Sequence, residues 1–189
     1  MSRISRWHFC LVGLALAALS ALLRFVALSQ TPFANGWDSY FYLVQLKSME
    51  ETGRMHSPEA SLIYPYLQLF YRLTGDYVLG LKVGTAVLAG TFTAIVYWLA
   101  LNRVHKPAFP WGPVALASWS VYSPQLTYFA AQYPKNLLGL VLLVAMIGSL
   151  DRLRLSRFSK PGKSWLPGKS GSWLVILFLL IINYFAHRF

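Results

Sequence analysis

Residues 7–28 read WHFCLVGLALAALSALLRFVAL, and this stretch decides the fold class. Only His8 near its start and Arg24 near its end interrupt the apolar run. A helix that crosses a bilayer needs about 20 mostly apolar residues, and this run has that length. We therefore predict an all-α polytopic membrane protein.

The composition of the whole chain supports a lipid environment. Of its 189 residues, 56% are hydrophobic, 16% aromatic and only 12% charged, whereas soluble domains carry about 25% charged residues. Such a sequence is too apolar to be disordered. The single cysteine, Cys10, excludes an intrachain disulfide and a cysteine-based zinc site.

Four further apolar stretches bring the predicted number of spanning helices to about five. They lie at 77–101, 109–131, 137–155 and 173–187. A cleaved signal peptide is the alternative for the first helix, because the chain starts with basic residues and Ala27-Leu28-Ser29 is an acceptable cleavage site. The length of this first stretch and the presence of Arg24 within it favour a helix that stays in the protein rather than a cleaved signal peptide.

The distribution of basic residues predicts the orientation. Positive charge clusters at the N-terminus, after the second apolar stretch and in the loop 151–170. The positive-inside rule places these three regions in the cytoplasm and the loop 29–76 outside. We expect a bacterial inner (plasma) membrane protein with a cytoplasmic N-terminus, whose basic loop contacts anionic membrane lipid. Because that loop lacks interleaved aromatic residues on a folded platform, we predict no nucleic-acid partner.

The outside loop 29–76 is too long for a simple connection and carries five of the six acidic residues. A turn signal at Asn35-Gly36 and a capping Gly53 predict an amphipathic surface helix over 37–52. A second surface helix is predicted after Ser57-Pro58-Glu59, with Pro65 either interrupting it or starting a new helix that Gly75 closes. The five acids are Asp38, Glu50, Glu51, Glu59 and Asp76.

The segment Asn35-Gly-Trp-Asp-Ser-Tyr-Phe-Tyr42 contains the candidate catalytic residue, Asp38. One interpretation is structural, since a carboxylate in the first turn of a helix complements the helix dipole. The other is that the neighbouring rings partly desolvate Asp38, which would raise its pKa and make it a general base.

Several motifs in this loop resemble those of the GT-C superfamily of polytopic glycosyltransferases. Trp37-Asp38-Ser39-Tyr40-Phe41 is similar to the Trp/Phe-Asp-Pro-Trp-Phe stretch of oligosaccharyltransferase catalytic subunits. Tyr64-Pro65-Tyr66 is similar to the Tyr-Pro-Pro stretch of protein mannosyltransferases and their bacterial relatives. Ser123-Pro124 followed by Gln132-Tyr-Pro-Lys-Asn-Leu fits the same layout.

The resemblance implies transfer of a sugar from a polyprenyl-phosphate donor to an acceptor on the outer face, with Asp38 as the base. Cations would stabilise the departing lipid phosphate. Arg24 and Lys82 are alternatively headgroup-snorkelling residues, and Lys135 is alternatively a solvated turn residue. The predicted substrate-binding residues are Arg24, Trp37, Tyr40, Tyr64, Lys82, Gln132 and Lys135.

The sequence departs from the family in two ways. The second outside loop has no acidic residue and Ser39 follows Asp38, so we predict no metal, unless Glu59 or Asp76 folds back toward Asp38 to bind a divalent ion. The chain also ends after its fifth apolar segment, which predicts a partial module with a protein partner or a missing C-terminal half.

A non-catalytic assembly or lipid-binding subunit is the second hypothesis. A small transporter is disfavoured, because no ionisable residue lies mid-span.

Overall fold

All the regular elements that the computed structural model describes, within residues 6–57, 59, 61–103 and 111–158, are helices, as the sequence predicts. The predicted helix 173–187 and residues 159–170 of the basic loop lie outside the described residues. The helices are α1 (Arg6–Leu28), α2 (Trp37–Thr52), α3 (Ile63–Thr74), α4 (Tyr77–Arg103), α5 (Trp111–Tyr122), α6 (Pro124–Gln132) and α7 (Pro134–Phe158).

Two of the described helices are long and apolar enough to cross a membrane, namely Trp7–Leu28 in α1 and Tyr77–Asn102 in α4. A third apolar segment, Pro134–Leu150 in α7, is shorter. Only 22% of the most apolar window of α1 is buried, so most of its apolar side chains face away from the protein. The described residues thus contain two candidate spans, while the predicted total of about five stays a prediction.

Small and hydroxyl-bearing residues join α1, α4 and α5. At Gly90 of α4 an added Cβ would lie 2.7 Å from the carbonyl oxygen of Ala17, so the two backbones are in close contact. Beside this contact, the Ser120 hydroxyl donates to Thr93 Oγ1 at 3.0 Å, and Thr93 donates to Ser20 Oγ at 2.9 Å. Small residues and interhelical hydroxyl bonds are typical of helices that associate in membranes.

The stretch 109–131 is predicted as one span that its prolines bend or delay, and from residue 111 onward the structure has two helices there. Ser123 separates α5 from α6 and has an extended backbone, with φ −63° and ψ 116°. Pro124 disfavours a helical conformation at the residue before it and has no N–H to donate to the Ser120 carbonyl. The Ser123 hydroxyl accepts a hydrogen bond from the Leu126 amide and so caps the N-terminus of α6.

The two helices of the outside loop form largely as the sequence predicts. Helix α2 covers 37–52 and ends at Gly53, whose φ of 70° is the left-handed conformation expected after a helix. Helix α3 begins at Ile63, six residues after Ser57, which does not cap it. Pro65 lies in the first turn of α3, where a missing N–H has no cost, and Gly75 ends the helix.

Helix α2 has one face packed on the bundle and one face exposed. Tyr42, Gln45 and Leu46 are among the residues buried on the inner side. Over the first two turns the exposed side is apolar at helical spacing, and we name it the α2 stripe: Trp37, Tyr40, Phe41 and Val44. Further along the helix this side carries the exposed ion pair of Lys47 and Glu51. This arrangement fits a helix that lies along an apolar surface rather than one that faces water.

Candidate functional site

The candidate site lies at the loop end of the bundle, which we define as the end where α1 ends at Leu28, α4 begins at Tyr77 and α6 meets α7. There the start of α2 packs on the end of α6. The Trp37 amide donates to Gln132 Oε1 at 3.3 Å, and the Ser39 hydroxyl donates to the Ala131 carbonyl at 2.9 Å. Because Gly36 has no side chain to cap α2, Gln132 supplies the acceptor from another helix.

Only glycine fits at the position before α2. Gly36 has a φ of 84°, and a Cβ there would lie 2.5 Å from the side chain of Gln132. The turn signal Asn35-Gly36 therefore does two things: it begins α2, and it lets Gln132 approach the helix start. Asn35 Nδ2 also donates to the Leu28 carbonyl at 2.6 Å, which satisfies the end of α1.

A partly buried carboxylate with two partners forms the second polar part of the site. Lys135 Nζ donates to Glu59 Oε1, and the Tyr64 hydroxyl donates to Glu59 Oε2. The side chains of Lys135 and Glu59 are only 14% and 11% exposed. The Lys135 backbone N–H also donates to the Tyr42 hydroxyl. Lys135 is thus an ion-paired residue rather than a solvated turn residue.

The two tyrosines of this cluster are held in the neutral form. Burial raises the pKa of Tyr42, and the nearby charges of Asp38 and Glu59 raise it further. Burial also raises the pKa of Tyr64, with its hydrogen bond to Glu59 as the next cause. Both phenols therefore keep their protons at neutral pH, and Tyr64 stays a hydrogen-bond donor.

Asp38 lies at the rim of this cluster and is exposed. The sequence hypothesis that rings enclose its carboxylate is wrong, because the Trp37 side chain is 91% exposed and points away from the bundle. Asp38 still interacts electrostatically with Tyr42 and Tyr133, so it borders the buried network. Its position in the first turn of α2 also complements the helix dipole.

Arg24 is fully buried and caps the end of α5. Its Nη2 donates to the carbonyls of Ser120 at 2.8 Å and Ser123 at 2.9 Å, and its Nη1 donates to that of Val121. The Ser120 carbonyl needs this partner because Pro124, four residues later, has no N–H. The guanidinium also places positive charge at a helix C-terminus, where it is favourable.

Lys82 and Tyr40 lie apart from the Glu59 network. Lys82 is buried, and its ammonium donates to the Thr31 carbonyl, which fixes the segment after α1. Tyr40 belongs to the exposed α2 stripe. The structure thus brings Trp37, Asp38, Tyr64, Gln132 and Lys135 to one region of the loop end. The other three predicted site residues lie elsewhere. Arg24 is at the end of α5, Tyr40 is on the α2 stripe, and Lys82 contacts the segment after α1.

A second carboxylate cluster holds the far end of α2. The Tyr77 hydroxyl donates to Glu50, and the rings of Tyr71 and Tyr77 stack with centroids 4.0 Å apart. Hydrogen bonds from Tyr71 and then from Tyr77 lower the pKa of Glu50. This cluster joins α2, α3 and α4, and so holds both surface helices against the bundle.

Glu59 is not among the predicted site residues, although it joins Lys135 to Tyr64. Its signal, Ser57-Pro58-Glu59, resembles a helix start, but α3 begins only at Ile63. Among the described residues, no group of three or more His, Cys, Asp or Glu side chains converges. The predicted absence of a metal therefore stays a prediction.

No family model, no curated protein and no solved structure matches this chain. The resemblance of the sequence motifs to those of the GT-C superfamily therefore stays a prediction.

Proposed function

We propose that the chain is a polytopic membrane glycosyltransferase module of the GT-C type. It transfers a sugar from a polyprenyl-phosphate donor to an acceptor on the non-cytoplasmic face of a bacterial inner membrane. One observation carries the proposal: five residues that the family motifs single out, from three separate parts of the chain, meet at the loop end. They are Trp37, Asp38, Tyr64, Gln132 and Lys135.

The membrane placement draws support from the exposed apolar surfaces. Most of α1 is apolar and unburied, and the α2 stripe is apolar where a soluble helix would be polar. Tyr and Trp are favoured at membrane–water interfaces. In the proposed arrangement α1, α4 and α7 cross the bilayer, and α5 with α6 makes one broken crossing. The α2 stripe lies on the outer membrane surface, and the N-terminus is cytoplasmic.

Retention of α1 is also part of the proposal. Arg24 and Ser20 of α1 are buried against α5 and α4, where they satisfy main-chain and hydroxyl groups. Cleavage after this helix would leave the end of α5 without its capping residue. This packing supports a retained helix over a cleaved signal peptide.

The proposed chemistry assigns roles to the acid and the cations. Asp38 removes the proton of the acceptor hydroxyl, and its exposure makes it accessible to an acceptor that arrives from water. Lys135 stabilises negative charge on the departing lipid phosphate. Arg24 and Lys82 act indirectly, because both hold main-chain carbonyls that shape the loop end.

The alternative is a non-catalytic assembly subunit derived from such a module, and the surface of α5 favours it. Trp111, Trp119 and Tyr122 are each at least 70% exposed. Aromatic residues are enriched where proteins contact one another, so α5 would bind a partner protein. Stable capture of one membrane partner without any sugar transfer would support this second function.

The test is sugar transfer by the Asp38→Asn variant in proteoliposomes. The substrates are radiolabelled polyprenyl-phosphate hexoses, and bacterial membrane extract supplies the acceptor. We expect transfer to fall by at least about 100-fold, the lower end of what a general base contributes. Glu51→Gln, which neutralises an exposed acid on the same helix, should transfer normally. Unchanged transfer by Asp38→Asn would reject the enzyme.

A further inference from the structure

Two donors, one on α7 and one on α3, hold the two oxygens of the Glu59 carboxylate. Lys135 Nζ donates to one carboxylate oxygen and the Tyr64 hydroxyl to the other. Two oxygens of a phosphate ester could accept the same two hydrogen bonds. Lys135 is also the second residue of the 25-residue helix α7, whose N-terminus adds positive potential.

Lys135 differs in its partner from Arg24 and Lys82, the cations that are buried among the described residues. Arg24 and Lys82 donate to main-chain carbonyls, which the helical fold itself fixes. Lys135 instead pairs with a side chain on the segment that joins α2 to α3. A carboxylate on such a connecting segment can leave without unfolding a helix, whereas a carbonyl at a helix end cannot.

The contact between that segment and α2 is incompletely satisfied. The Ser57 amide donates to Gln45 Oε1 at 3.1 Å. Gln45 Nε2 and Ser61 Oγ, however, are buried without a hydrogen-bond partner among the described residues.

We propose that Glu59 is an internal competitor that occupies a phosphate site. When the Glu59 side chain turns away, a phosphate ester at the membrane surface replaces its carboxylate on Lys135 and Tyr64. The identification of this ester as the polyprenyl phosphate of the donor rests on the proposed function. The Glu59–Lys135 pair then keeps the site closed until an anionic lipid arrives.

The test measures binding of a fluorescent farnesyl phosphate analogue to the full chain in phosphatidylcholine nanodiscs. Glu59→Gln should bind on the order of tenfold more tightly than the wild type, because the competitor is gone, and Lys135→Gln on the order of tenfold more weakly. Glu51→Gln is the matched control, since it breaks the exposed Lys47–Glu51 pair. It should bind as the wild type does.

Competitors identify the source of the phosphate. Farnesol, which lacks the phosphate, should not compete. Competition by inorganic phosphate, or by phosphatidylglycerol, supports the anion site and identifies a free anion or an ordinary headgroup as its occupant. Competition by polyprenyl phosphate alone supports the lipid carrier.

Two results would overturn the inference. One is that Glu59→Gln binds the probe with the affinity of the wild type, and the other is that neither of them binds it. If Glu59→Gln does not fold, the charge-exchanged Glu59→Lys/Lys135→Glu variant is used, because it keeps the ion pair. This variant should lose phosphate binding. Wild-type affinity in this variant contradicts the proposal. These assays measure binding without sugar transfer, so the inference and the proposed enzyme can fail separately.

Discussion

Replacing Arg24 with methionine should destabilise the bundle more than replacing any exposed cation. The change removes three hydrogen bonds from a charged donor to carbonyls at the end of α5. Such bonds contribute roughly 1.5 kcal/mol each. Removing the buried guanidinium also removes its desolvation cost, which offsets part of this loss. We expect Arg24→Met to lower the free energy of unfolding by about 3 kcal/mol.

The loss is measurable as a change in Tm. For a chain of this length, 1 kcal/mol corresponds to roughly 2–4 °C, so Arg24→Met should unfold about 6–12 °C below the wild type. Intrinsic tryptophan fluorescence of the detergent-solubilised protein during heating gives the midpoint. Arg72→Met, on an exposed position of α3, is the matched control and should leave Tm nearly unchanged.

A second substitution tests why Arg24 is needed. Pro124→Ala restores a main-chain N–H four residues after Ser120, where a helical carbonyl finds its usual partner. In the Arg24→Met background, Pro124→Ala should recover about 1 kcal/mol. A Tm for Arg24→Met within about 2 °C of the wild type would refute the capping role of Arg24.

Two further predictions concern helix packing and pH. Gly90→Ala should destabilise the protein by about 1–3 kcal/mol, because the added Cβ meets the Ala17 carbonyl. Gly112→Ala is the control and should not destabilise it, because the space around Gly112 is open. Thermal unfolding of both variants measures the difference. Hydrogen bonds from Tyr71 and Tyr77 lower the pKa of Glu50 below its ordinary 4.5, so the stability they contribute is present above that pH and is lost as the pH falls through the lowered native value. Glu50→Gln should therefore lose less stability than the wild type when Tm is followed below about pH 4.5, and an unchanged acid profile would contradict this.

Local signals in the sequence predicted the helices but not the contacts between them. Helix α2 begins and ends where Asn35-Gly36 and Gly53 predict, because turn and capping preferences act within a few residues. The break at Ser123-Pro124 carried an equally local signal in its proline. The prolines predict that the stretch 109–131 is bent, and the structure has a break at Ser123.

The composition of the site depends on distant pairs that one sequence does not reveal. Glu59 and Lys135 lie 76 positions apart, and nothing in the local sequence of either residue indicates the other. Arg24 meets the end of α5 about 100 positions later. The sequence identified Lys135 and Tyr64 as candidates through family motifs, while the carboxylate that joins them became evident only in the folded chain.

The side of the membrane on which Asp38 lies tests the central claim most directly. In a Cys10→Ser background, Asp38→Cys provides a single thiol at the start of α2. A membrane-impermeant maleimide should label this variant in spheroplasts, where only the non-cytoplasmic face is accessible, and should leave it unlabelled in inverted inner-membrane vesicles. Labelling from the cytoplasmic face alone would contradict the proposed topology, and with it an outward-facing site for a lipid-linked sugar.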